Sequence, residues 1–94
     1  MATSVQQDLL RLNQKLLESI TAGDWETYSS LCDPSLSCFE PEAHGYFIEG
    51  MDFHKFYFTL KQEKEVKTTY NTTMSSPNVR LMGDVAVVSY VRVI

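Results

Sequence analysis

An α+β fold follows from three features of the sequence. An amphipathic helical stripe runs from Val5 to Ile20, a second helical stretch lies in the aromatic middle, and β-branched residues dominate from Val66 onward. Helices early and strands late, in a chain of 94 residues, make one domain spanning 1–94. Its expected order is helices first, then a curved antiparallel sheet.

Val5, Leu9, Leu12, Leu16 and Ile20 recur every three or four residues, and Leu10 and Leu17 widen the stripe. Gln6, Gln7, Arg11, Gln14, Lys15 and Glu18 fill the opposite face. Gly23 ends this helix, because glycine takes the left-handed terminal conformation without a side-chain clash. Asp24 caps the next, in which Trp25, Tyr28, Leu31 and Cys32 form the apolar side, and Asp33-Pro34 stops it. Leu36 to Phe39 reads as a short strand that Pro41 prevents from continuing. Gly45 to Gly50 is either a second aromatic strand or a glycine-bounded turn. Asp52 is the expected cap of a third helix, with Phe53, Phe56, Tyr57 and Leu60 on one face.

The period then changes. Val66 to Met74 alternates as a long strand, Pro77 marks a bulge or break, and Asn78 to Met82 resumes it. Gly83-Asp84 has the composition of a two-residue hairpin turn. Val85 to Ile94 returns as an almost continuously apolar strand, the pattern of a strand covered on both faces. An open strand of that kind is a pairing hazard, so a neighbour is expected beside it.

Composition excludes several classes. A net charge of −4, with eight scattered basic residues, argues against nucleic acid, which needs a clustered basic face. Lys55, Lys61, Lys64 and Lys67 read as the solvated side of one helix and its exit. No apolar run reaches the roughly 18–20 residues of a bilayer span, and no signal peptide is visible. The expectation is a soluble, cytoplasmic domain. Cys32 and Cys38 match no zinc or redox spacing and read as core thiols; neither they nor the histidines form a metal-ligand motif, and no cofactor is expected.

The chemistry-bearing residues leave alternatives open. Asp33, Glu40, Glu42, Glu49 and Asp52 are either paired carboxylates for acid–base work or, beside proline and glycine, turn and cap residues. His54, next to Phe53 and two residues before Phe56, either binds an anion or hydrogen-bonds within the core. His44 belongs to a loop. Arg92 is the sharper anomaly, because a buried guanidinium needs a partner. By alternation it shares a face with Val88 and Tyr90. Its partner is a carboxylate of this chain, of a neighbouring subunit or of a ligand, unless it reaches solvent at the strand end. No nucleophile elbow, phosphate loop or dinucleotide fingerprint occurs.

Several strings carry a family resemblance. They are Gly23-Asp24-Trp25-Glu26-Thr27-Tyr28, Cys32-Asp33-Pro34, Phe39-Glu40-Pro41-Glu42-Ala43 and Glu49-Gly50-Met51-Asp52-Phe53-His54-Lys55-Phe56-Tyr57-Phe58. Pro77-Asn78-Val79, Gly83-Asp84 and Tyr90-Val91-Arg92 extend them. Together they resemble the association (hub) domain of calcium/calmodulin-dependent protein kinase II. The resemblance implies a cone-shaped fold of the nuclear transport factor 2-like superfamily, with the helix in the concave face of a bent sheet. It also implies a non-catalytic oligomerisation module that forms stacked rings with itself or with other hub subunits, holding kinase domains outward.

Animal hubs bind small carboxylates between helix and sheet through arginines, a histidine and a tyrosine. Tyr28, His54 and Arg92 occupy the matching motif positions. The family continues with two further strands that carry the remaining pocket arginines, so the domain is expected to be incomplete at its C-terminal end. Thr59 to Lys67 also departs from the animal hubs and lacks their tryptophan. Kinase activity and calmodulin binding would belong to sequence outside this chain. The alternative reading is a small-carboxylate-binding or isomerase-like domain using the same cavity, with an acid between Glu40 and Asp52 as base.

Overall fold

The computed structural model describes residues 3–63 and 71–94, with the side chains of Glu42 and of residues 61–63 outside that description. Helix α1 covers Ser4–Ala22 and α2 Trp25–Leu31. Strand β1 (Ser37–Phe39) leads through a single 3-10 turn at Pro41–Ala43 to β2 (Phe47–Glu49). Helix α3 (Asp52–Glu63) precedes the long strands β3 (Thr73–Met82) and β4 (Val85–Val93).

Local chemistry sets the helix ends. Thr3 and Gln6 form a reciprocal capping box at the start of α1: Gln6 N–H donates to Thr3 Oγ1 (3.2 Å), and Thr3 N–H donates to Gln6 Oε1 (2.8 Å). Gly23 closes α1 in the left-handed conformation (φ 69°), and its N–H returns to the Ile20 carbonyl (3.2 Å). Asp24 immediately caps α2, its Oδ1 accepting from Thr27 N–H at 3.1 Å. The α1–α2 corner is therefore as the sequence predicts.

Helix α1 docks on β3 through side chains that reach strand atoms in reversed order. Gln6 Nε2 donates to the Val79 carbonyl (3.2 Å), Asn13 Nδ2 meets the Met74 sulfur (3.2 Å), and Gln14 Nε2 donates to the Thr72 carbonyl (2.7 Å). Among the described residues the core is small: Leu17, Tyr28, Ile48 and Phe58 are its buried apolar members, with Ser19, His54 and Thr72 beside them.

Three expectations change, and one open alternative is settled. The single curved sheet appears, among the described residues, as two antiparallel two-stranded ribbons, β1–β2 and β3–β4. The glycine-flanked segment is a strand: Cys38 pairs with Ile48 and Phe39 with Phe47. Asp52 does not cap α3. Met51 contributes the first helical acceptor, to Lys55 N–H (2.9 Å), which places Asp52 in the first turn, where a negative charge favours the exposed amides. The buried face of α3 is centred on His54 and Phe58, while Phe56 points to solvent. This is a rotation of about one residue, or 100°, and the Trp25 and Tyr28 rings of α2, with Cys38 of β1 against His54, select the face rather than apolarity alone.

The long ribbon keeps its expected form with one shift. The ladder begins at Thr73, and the segment Val66 to Tyr70, expected as its first half, lies outside the described residues. A register shift between Ser75 and Asn78 confirms the irregularity at Pro77, and Ser76 takes a positive φ of 52° there. Met82 pairs with Val85 across the Gly83-Asp84 turn. Strand β4 is not covered on both faces: Ala86, Val88, Tyr90 and Arg92 are half-buried, whereas Val85, Val87, Ser89, Val91 and Val93 are exposed.

Candidate functional site

Three elements converge on His54. Asp24 fixes the first turn of α2, and Tyr28, one turn further, points its ring against Phe58 (centroids 4.8 Å apart) and Trp25 (5.8 Å). Trp25 closes the cluster edge-on against Phe58 at 5.2 Å. Helix α3 brings His54 beneath Tyr28, one turn before Phe58, and β1 supplies Cys38 from its half-buried side. Tyr28 and His54 are each only 7% exposed.

The polar atoms form a chain through this apolar setting. Tyr28 Oη lies 3.0 Å from His54 Nδ1, and Cys38 Sγ lies 3.4 Å from His54 Nε2. Cys38 Sγ in turn donates to Glu40 Oε1 at 3.8 Å. An ionised carboxylate only accepts, so the directions follow from its end. Cys38 S–H donates to Glu40, His54 Nε2–H donates to the sulfur, and Tyr28 O–H donates to Nδ1. Every buried side-chain polar atom among the described residues has a partner.

Burial decides the electrostatics. It pushes the Tyr28 hydroxyl well above its ordinary value, and the neighbouring Cys32 and Glu40 add to the effect. Burial also raises the Cys32 and Cys38 thiols, with Glu40 a second contributor at Cys38. The Tyr28 hydroxyl and both thiols are therefore held in their protonated forms, and Cys38 is not a thiolate nucleophile.

Arg92 finds a different partner from those expected. Its Nε donates to Thr72 Oγ1 (3.1 Å), and the Thr72 carbonyl accepts from Gln14, so one buried threonine ties α1 to β4. Among the described residues no carboxylate pairs with Arg92, and no hydrogen bond or ring contact joins it to Tyr28 or His54. Its face is as alternation predicts, shared with Val88 and Tyr90.

The acids separate by role. Asp33 folds back on Ser35, accepting from its N–H (2.8 Å) and hydroxyl (2.7 Å), which holds its carboxyl below the usual range. Glu49 and Asp52 are exposed, and the Glu42 side chain lies outside the description. Only Glu40 joins a cluster. His44 is exposed in a left-handed turn (φ 53°). Sequence reasoning missed Cys38 and Glu40 as neighbours of His54, although alternation along β1 places those two on one side. No spacing rule connects them to a helix in the following segment.

Comparisons with known proteins converge on one family. The family described as the calcium/calmodulin dependent protein kinase II association domain matches residues 5–94. A calcium/calmodulin-dependent protein kinase type II from Caenorhabditis elegans is 49% identical over 88 residues, covering 93% of this chain and 12% of that protein. The hub homology domain of Chlamydamonas reinhardtii superposes with a TM-score of 0.86 at 51% identity, over 95% of this chain and 70% of that one. The association domain of the C. elegans kinase gives 0.77 at 44% identity, over 95% and 67%. The chain thus spans about an eighth of the length of the full kinase it matches.

Proposed function

Because the chain belongs to the calcium/calmodulin-dependent protein kinase II association-domain family, we propose that it works as a non-catalytic hub, holding copies of itself or of related hub subunits in a symmetric assembly. It is an association domain and not a kinase domain. The observation that supports assembly is the outer face of β4, where Val85, Val87, Val91 and Val93 are 60, 50, 61 and 44% exposed. A row of exposed valines along one strand, broken only by Ser89, supports an interaction surface there. Among the described residues no helix is long and apolar enough to cross a membrane, and the proposed setting is the cytoplasm. Size-exclusion chromatography with light scattering tests the reading: a discrete oligomer is expected, and a monodisperse monomer at micromolar concentration counts against it.

A second reading rests on Arg92. A half-buried guanidinium whose partner among the described residues is a hydroxyl retains donors suited to a carboxylate. Arg92 would anchor a small carboxylate, and Tyr28 and His54 would take part only through the ligand, since no direct contact joins them to Arg92. Calorimetric titration of small carboxylates into the chain and into Arg92→Ala distinguishes the cases. Equal heats for both proteins would remove Arg92 from ligand binding.

A further inference from the structure

We propose that Cys38, Glu40 and His54 form a binding site for a divalent transition-metal ion of the zinc class. The three side chains offer one ligand atom each, and these atoms all lie within 4.8 Å of one another. Thiolate, imidazole and carboxylate together match the donor preferences of zinc and of its spectroscopic substitute cobalt. A tetrahedral zinc centre with sulfur, nitrogen and oxygen ligands has donor–donor edges of about 3.4–3.6 Å. The observed Sγ–Nε2 separation is 3.4 Å and Sγ–Oε1 is 3.8 Å, and the third edge is no longer than 4.8 Å, so an ion is seated by a swing of the half-buried Glu40 carboxylate of up to about an ångström.

The surroundings suit an ion as well as the donors do. Tyr28 Oη contacts the other ring nitrogen, Nδ1, which is the position that orients a histidine ligand and sets its tautomer. With the ion on Nε2, the imidazole proton resides on Nδ1 and donates to the Tyr28 oxygen. The hydroxyl hydrogen then turns toward Cys32, with which Tyr28 already interacts. Cys38 loses its thiol proton to solvent, so binding releases one proton and leaves one negative charge on sulfur and one on Glu40. The pair of anions neutralises the dication. Cys38 and Glu40 are half-buried, which leaves a path for entry and a fourth coordination position open to water.

The test is titration of the purified, reduced full chain with Co²⁺, followed by displacement with Zn²⁺. One cobalt per chain is expected, with a thiolate-to-cobalt charge-transfer band and the intense visible bands of tetrahedral coordination. Cys38→Ser should abolish the charge-transfer band and Cys32→Ser should leave it. Glu40→Gln, at the accessible rim, should weaken zinc binding and keeps the test decisive if Cys38→Ser fails to fold. Tyr28→Phe should lower zinc affinity about 10–100-fold; an unchanged affinity in a folded Tyr28→Phe protein would deny Tyr28 the orienting role. A weak octahedral cobalt spectrum without the thiolate band overturns the site. So does a band that survives Cys38→Ser or vanishes in Cys32→Ser.

Discussion

The Tyr28 hydroxyl lies 3.0 Å from Nδ1 of His54, and this contact bolts α2 to α3 inside the most buried part of the molecule. Tyr28→Phe removes the donor and leaves a buried imidazole nitrogen without its partner. The expected cost is about 1–3 kcal/mol of unfolding free energy. A urea titration followed by circular dichroism reads it as a lower midpoint with unchanged slope. An unaltered midpoint would show that the hydrogen bond contributes nothing net.

The same hydroxyl gives stability an alkaline limit. Burial raises its pKa above the unfolded value of 10.0. The neutral form is favoured in the fold, so its contribution is complete below pH 10 and declines as pH climbs beyond that value toward the folded one. The urea midpoint should fall above pH 10 in the parent protein and fall less steeply in Tyr28→Phe. Parallel curves would contradict the assignment.

At the acid end, Asp24 behaves oppositely. The hydrogen bonds from the Thr27 hydroxyl and N–H lower its pKa below the unfolded 3.8. Its contribution is present above pH 3.8 and disappears as pH drops through the lower folded value. Asp24→Asn keeps a capping oxygen but removes the titration. Its acid unfolding curve should therefore flatten relative to the parent.

Gly23 meets nothing within 4 Å where a β-carbon would stand, so the cost of Gly23→Ala is conformational alone. Holding alanine at φ 69° should cost about 1–2 kcal/mol. Gly23→Asn should cost less, because asparagine tolerates that region. Differential scanning calorimetry of the two variants gives the ordering, and an alanine variant as stable as the parent would deny strain at the corner.

On the exposed face of β4, Val87→Lys and Val91→Lys each place a charge where copies are proposed to meet. Both substitutions project to solvent in a single chain and should preserve its circular dichroism spectrum. Light scattering should show a shift to smaller species. An unchanged oligomer mass for the double variant would move the interface elsewhere.

Legibility in the sequence followed the range of the interactions. The glycine corner, the Asp24 cap, the bulge near Pro77 and the Gly83 turn were readable because each depends on neighbours a few residues away. The face of α3 was not, since Phe53, Phe56 and Tyr57 are about as apolar as Phe58 and only the packing of Trp25 and Tyr28 from α2 chooses among them. Tyr28 and His54 emerged from motif positions, but their direct contact comes from packing between two helices. The partners of His54 and Arg92 were hidden for the same reason: Cys38, Glu40 and Thr72 reach them through tertiary folding.

The irregular step in β3 has a consequence for growth. Pro77 brings no amide hydrogen to that strand, which blunts its flank against lateral recruitment. No proline interrupts β4, and its sole ladder partner among the described residues is β3. The two rims of the ribbon therefore differ: the β3 rim is interrupted at Pro77, whereas the β4 rim carries an unbroken row of amides from Val85 to Val93.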